Sequence, residues 1–180
     1  MRLVRALFVL ILLVLLLLTL GVLQNAPPLS EPPGTVVRLY TYIDTNVAET
    51  AVGSPFPELR PRQYTLAPEA LYAKVREAIE RLPRWEIIES SETRRELRAV
   101  VTSRIFRFKD DVTVVVVAKP DGRPMVTLRS ASRVGRGDLA ANARHILDFY
   151  EMLERVGAHG DTERVAALAH WQREAGRGYP

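Results

Sequence analysis

The side chains that could do chemistry fall in two stretches. Arg104-Ile105-Phe106-Arg107-Phe108-Lys109-Asp110-Asp111 is followed by Arg129-Ser130-Ala131-Ser132-Arg133-Val134-Gly135-Arg136-Gly137-Asp138, with Asn142 and Arg144 just beyond. Two readings are open. In one, the arginines and carboxylates form a partly buried ion-pair cluster that fixes strand register, because an unpaired buried charge is costly. In the other, Arg129, Arg133 and Arg136 converge on an anion near the free N–H groups of a helix that begins at Asp138. An N-cap carboxylate at Asp138 would occupy the space of that anion and favours the first reading. Asn142 lies one helical turn after Asp138 and reaches the same cluster, whereas Arg144 points elsewhere. The candidate residues are therefore Arg104, Asp110, Asp111, Arg129, Arg133, Arg136, Asp138 and Asn142. They serve an anion, a partner or the fold alone, and no catalytic residue, metal ligand or cofactor is assigned.

Other chemistries find less support. Alternation puts Arg129 and Arg133 on one sheet face and Ser130 and Ser132 on the other, with Val126 and Leu128. The serines then read as small buried residues that let a helix approach closely while bonding local backbone. A serine nucleophile needs a neighbouring base, and none is signalled. His145, His159 and His170 lack metal-ligand spacing, and His145 beside Arg144 reads as a surface histidine. Asp110 and Asp111 could hold a hard cation with Asp138, but the surrounding arginines oppose it. The chain has no cysteine, which removes a disulfide framework, thiolate catalysis, Cys-ligated zinc and a lipidated cysteine. Trp85 and Trp171 read as core or helix-docking anchors, and Gly135 and Gly137 as the tight strand-to-helix turn.

The elements that must position these residues follow from periodicity. Pro68 opens a helix with Leu71, Val75, Ala78, Ile79 and Leu82 at helical spacing, and Pro83 closes it. Strand-like runs follow near 84–89, 97–106, 112–119 and 125–132, with Pro120-Asp121-Gly122 as a hairpin turn between the last two. A second helix is expected from about Asp138 to Arg155, capped by Asp138 and stopped by Gly157, and a terminal one over Asp161–Ala175. Thr35 to Ile43, rich in β-branched residues, reads as a first strand or extended segment, and 44–63 as irregular. The sum is an α+β fold, a four-stranded, mainly antiparallel sheet with helices packed on one face as a two-layer sandwich. The run 112–119 is apolar at both parities, so its strand is expected to be central and covered on both sides, by the Tyr40 segment or the terminal helix.

Ahead of the domain, Ala6 to Leu23 is apolar except for Thr19 and Gly21, just long enough to cross a hydrocarbon core. An uncleaved anchor fits better than a cleaved signal, since the one candidate cut, after Ala26, meets Pro27 and Pro28. Arg2 and Arg5 hold the short end in the cytoplasm, so the rest faces out, toward a periplasm where there is one. The organisation read is a cytoplasmic terminus 1–5, a transmembrane signal anchor 6–24, a Pro-rich extended stalk 25–34, an α+β domain 35–157 and a C-terminal helix and tail 158–180. The formal charge of +4 is close to balanced without those two arginines, so nucleic acid is not suggested.

The Phe-rich run into Asp110-Asp111 and the later Arg129-Ser130-Ala131-Ser132-Arg133-Val134-Gly135 ending in Asp138-Leu139 closely resemble the domain-of-unknown-function family fourteen-ninety-nine. The resemblance covers roughly Asn46 to Leu153 and implies an exported, lipidated or membrane-anchored protein with no agreed chemistry. Many relatives carry a cysteine after the Asn at the position of Asn46; this chain has Val47, so a role for that thiol does not transfer. The function expected is a non-enzymatic binding, assembly or envelope-maintenance module at the membrane surface, with another envelope protein or an anionic ligand as partner. The alternative is a hydrolase or receptor for a phosphate, carboxylate or lipid headgroup, using the Arg/Asp cluster.

Overall fold

The computed structural model describes residues 1–104 and 107–161. The expected helix over Asp161–Ala175, with Trp171 and His170, lies outside the described residues, as do Ile105 and Phe106. Among the described residues four α-helices run Arg2–Asn25 (α1), Thr35–Asp44 (α2), Pro68–Arg81 (α3) and Ala141–Arg155 (α4). Seven strands are described: Val47–Glu49 (β1), Arg62–Tyr64 (β2), Trp85–Ser91 (β3), Glu96–Thr102 (β4), Lys109–Val117 (β5), Met125–Ser132 (β6) and Gly160–Asp161 (β7).

The strands join in one antiparallel sheet in the order β3-β4-β5-β6-β2-β7, with β1 also paired to β6. The sheet is thus wider than the four strands expected. The additions are two or three residues long, too short to show an alternating pattern, and only pairing with strands distant along the chain, such as Val47 with Ala131 and Gln63 with Asp161, reveals them. The four long strands and the turn at Gly122, where φ is +76° and its N–H meets the Lys119 carbonyl at 3.0 Å, lie where the sequence placed them to within a few residues. Burial alternates strictly along β5: Val112, Val114 and Val116 are sealed. They share one core with Leu71, Val75, Ala78 and Ile79 of α3, and with Ala143, Ile146, Phe149 and Leu153 of α4. The strand is interior, as expected, but its other face is only partly covered. Val115 is half-buried, Val117 is exposed, and Tyr40, one proposed cover, is itself exposed.

Two expectations are corrected near the N-terminus. Residues 35–44 form a helix, not a strand. Arg38 and Tyr42, four residues apart and so on one helical face, are the buried ones, and this tertiary anchoring overrides the β-branched composition. Residues 26–34 are not an extended spacer either. They cap α1 through a left-handed Ala26 and continue in turns. The fully buried Arg38 guanidinium holds those turns: it donates to the Glu31 carbonyl at 3.0 Å and the Pro32 carbonyl at 2.6 Å. It also reaches the Tyr42 hydroxyl at 2.9 Å and both carboxylate oxygens of Glu58 at 2.5 and 3.0 Å.

α1 is apolar all round, with only Val22 buried, and is long and apolar enough to cross a membrane or to act as a signal sequence. Its C-terminal end touches the domain. Asn25 Nδ2 donates to the Leu139 carbonyl at 2.8 Å, and Leu139 N–H in turn donates to the Tyr42 carbonyl at 2.9 Å. Gly137 is needed for close approach: a Cβ there would lie 2.1 Å from the Ile43 carbonyl oxygen, so the residue serves the contact between α2 and the β6–α4 loop more than a turn.

Candidate functional site

Strand register decides which of the charged residues meet. Asp110 sits opposite Ser132, Asp111 opposite Ala131 and Val112 opposite Ser130. Since successive side chains point to opposite faces, Asp110, Ser130 and Ser132 turn toward α4, and Asp111, Arg129 and Arg133 turn away. The neighbouring aspartates therefore do different things. Asp111 accepts two hydrogen bonds from Arg133, at 3.0 and 2.6 Å, with both side chains more than two-fifths exposed. That bond with Arg133 holds the Asp111 carboxyl below its ordinary range. Asp110 is buried beneath α4.

Around Asp110 lies a polar network that the apolar core would not tolerate unless its members satisfied one another. The Ser130 hydroxyl donates to Asn142 Oδ1 at 2.5 Å. Asn142 Nδ2 donates to Ser132 Oγ at 2.9 Å and to the Asn46 carbonyl at 2.8 Å. Asn46 Nδ2 donates in turn to the Gly135 carbonyl at 2.7 Å. The Asp138 carboxylate accepts the N–H groups of Ala140 at 2.9 Å and Asn142 at 3.0 Å, capping α4 from ahead of its first residue, so the helix itself starts at Ala141 and not at Asp138. Burial raises the Asp138 pKa, and the hydrogen bonds around Asn142 oppose that rise.

His145 belongs to this network and is not the surface residue expected. Its Nδ1 lies 3.2 Å from Ser130 Oγ, its Nε2 3.8 Å from Asp110 Oδ2, and its ring meets Trp85 edge-on at 6.0 Å. Burial pushes its pKa below the ordinary imidazole value, against the pull of Asp110 and Asp148 and with the help of Arg84. Ser130, His145 and Asp110 stand in the order of an acyl-transfer triad, but the protons do not fit that role. The hydroxyl has one hydrogen and directs it to Asn142 Oδ1 at 2.5 Å, not to His145 Nδ1, so the imidazole does not hold the proton it would have to remove as a base. Ser130 is also fully sealed from solvent.

Above the network opens a cleft of about 690 Å³, between the C-terminal end of α1 and the sheet end. Gly21, Asn25 and Leu139 line one side, Arg84, Trp85, Arg104 and Phe108 the other, with Asp110 and His145 at its base. Arg84 lies in the left-handed region, φ +66°, and donates Nε–H to the Thr102 carbonyl at 3.1 Å. Leu139 and Ala26, which also border the cleft, share that uncommon backbone conformation at φ +53° and +42°. Among the described residues neither Arg84 nor Arg104 has a carboxylate at ion-pair distance. Arg144 at the same cleft is fully engaged by Asp148 at 2.5 Å and Glu151 at 3.6 Å.

The structure thus brings Arg104, Asp110, Asp138 and Asn142 together and disperses the other four. Arg129 lies 4.0 Å from Glu49, Arg136 pairs with Asp44 at 2.6 Å, and Arg133 and Asp111 hold each other on the far face. The arginines 129, 133 and 136 do not converge at the start of α4. Sequence reasoning missed His145, Asn46, Arg84 and Arg38. His145 had a signal, since it follows Asn142 by three residues on one helix flank. Asn46 stood in the family motif but had no local reason to reach Gly135, and the other two had no local sign. Among the described residues no three His, Asp or Glu side chains group closely enough to hold a metal ion.

The comparison with curated proteins gave no match. The family described as Protein of unknown function (DUF1499) matches residues 30–153, a stretch that begins ahead of α2 and takes in the whole polar network, and the chain belongs to that family.

Proposed function

We propose that this protein is a non-enzymatic binding module, anchored in a membrane by α1 with its domain on the extracytoplasmic side, and that its cleft receives a small anionic group between Arg84 and Arg104. The observation that carries this reading is the pair of guanidinium groups at the mouth of the cleft that, among the described residues, have no carboxylate at ion-pair distance. Donors left over at the rim are available to a ligand, and guanidinium geometry suits carboxylate or phosphate oxygens. The Arg2 and Arg5 flank of α1 supports the orientation. In this reading the domain is a two-layer sandwich, α3 and α4 over one sheet face, which the alternating burial of β5 supports.

Binding to the native state alone raises apparent stability, by about 2.7 kcal/mol when the ligand is at a hundred times its Kd. Full-length protein in detergent micelles should therefore show a thermal midpoint that climbs with inorganic phosphate or a sugar acid, and Arg84→Ala with Arg104→Ala should abolish the climb. A flat response in the unsubstituted protein would remove the anion reading.

The hydrolase alternative is favoured by one observation, the succession Ser130, His145, Asp110. It requires a reactive hydroxyl. A fluorophosphonate probe that labelled the protein, and ceased to label Ser130→Ala, would overturn the non-enzymatic reading.

A further inference from the structure

α2 is amphipathic the wrong way round for a helix that covers a soluble core. Its inward residues are Arg38 and Tyr42, and Arg38 spends its donors on Glu31, Pro32, Tyr42 and Glu58. Its outward residues are Val36 at 82% exposure, Tyr40 at 69%, Ile43 at 53% and Val37 at 48%. At about 100° per residue these four fall within an arc of about 120°, opposite Arg38 and Tyr42; Asp44, the last residue of the helix, falls in the same arc and is paired with Arg136 at 2.6 Å. A contiguous apolar stripe on an ordered helix marks a surface that something else covers.

Its position says what covers it. The carbonyl of Leu139 holds Asn25 at the outer end of α1, and the N–H of Leu139 holds the Tyr42 carbonyl in α2. One residue therefore ties the end of the apolar span to α2, and residues 26–34 between the two helices are folded in turns rather than paid out as a tether. With α1 across a bilayer, the Asn25 end lies at the headgroup layer, and α2 lies beside it. Resting on the reading of α1 as a membrane anchor, we propose that α2 is an in-plane membrane helix whose Val36, Val37, Tyr40 and Ile43 face enters the outer leaflet of the same bilayer. Aliphatic side chains flanking a tyrosine suit that depth, where an aromatic ring with a polar tip meets both phases. The domain then lies against the bilayer instead of standing off it.

The absence of cysteine allows single spin labels to be placed without background. Val36→Cys, Tyr40→Cys and Ile43→Cys on α2, Ile88→Cys on exposed β3, and Leu13→Cys within α1 would each be labelled in the full chain. They would be reconstituted into phosphatidylcholine vesicles containing phosphatidylglycerol. Collision with oxygen, which enters the bilayer, would be compared with collision by a nickel chelate, which stays in water. The expected result is an oxygen-to-nickel ratio several-fold higher at 36, 40 and 43 than at 88, and approaching that at 13. Values at 36, 40 and 43 equal to that at 88, with 13 still bilayer-like, would overturn the in-plane helix and leave the anchor intact. A water-like label at 13 would overturn the anchor reading and this inference together. Shielding of the α2 labels from both reagents would overturn it in favour of a protein cover.

Discussion

Among the described residues two bidentate arginine–carboxylate pairs, Arg133 with Asp111 and Arg38 with Glu58, differ in almost everything except geometry. Arg133 and Asp111 lie within the most recognisable motif of the chain and bond at 2.6 and 3.0 Å, yet both are substantially exposed on the open sheet face. Arg38 and Glu58 lie in stretches with no motif and bond at 2.5 and 3.0 Å, with exposures of 0% and 7%. Water screens the first pair and is excluded from the second. The buried pair also carries the backbone carbonyls of 31 and 32 and the Tyr42 hydroxyl, so it joins three pieces of chain, the turns after α1, α2 and the segment of Glu58. A conspicuous motif is therefore a poor guide to where the energy lies; burial is the better one.

The largest expected effect follows from removing the buried arginine. Arg38→Met should destabilise the domain by about 3–5 kcal/mol, the usual loss when one partner of a buried pair is deleted and the other is left uncompensated. The urea midpoint of the full chain in micelles measures this, and a shift no larger than that of Arg133→Ala would break the comparison.

Next in size is the polar network under the cleft. Asn142→Ala leaves the Asn46 carbonyl and both serine hydroxyls short of a partner and should cost about 1–3 kcal/mol. It also sharpens the functional question, because the Ser130 proton is then no longer accepted by Asn142. Reactivity of Ser130 toward a fluorophosphonate in this variant alone would show that Asn142 is what holds the hydroxyl inert.

A smaller effect is expected on acidification. Burial lowers the His145 pKa below its ordinary value of 6.5, so between the two values the unfolded chain binds the extra proton and the native state does not. The associated stability is complete above the ordinary value and is lost as pH falls below it toward and through the native one. Thermal midpoints compared at about pH 7.5 and about pH 5.5 should fall on acidification, and His145→Gln should flatten the fall. Asp110 and Asp148 face the ring and Arg84 lies near it, so their charges set how steep the fall is.

The smallest effect belongs to the motif pair. Arg133→Ala should leave the urea midpoint close to that of the unsubstituted protein at neutral pH, since the pair is exposed and screened. A loss comparable to that of Arg38→Met would mean that the open sheet face is covered in the working protein.

Much of the frame was legible in the chain because it is written in short-range signals. Helical spacing and flanking prolines marked α3, alternation and the Pro-Asp-Gly turn marked β5 and β6, and an unbroken apolar run marked α1. The face assignment of Ser130 and Ser132 against Arg129 and Arg133 held for the same reason, since strand alternation is fixed by covalent geometry. The same rule separates Asp110 from Asp111, and the expectation that both would serve one cluster overlooked it.

The sequence by itself thus determined the α+β class, the apolar helix at the N-terminus, the long strands and the family, all of which depend on neighbours along the chain or on a motif. Tertiary structure alone decided the rest: that 35–44 is a helix, that His145 faces inward, and which arginines lack a counter-charge. Those outcomes depend on burial and on partners 20 to 114 residues away, such as Glu58 for Arg38 and Leu139 for Asn25. A side chain's environment is a property of the packed chain, and no local pattern records it.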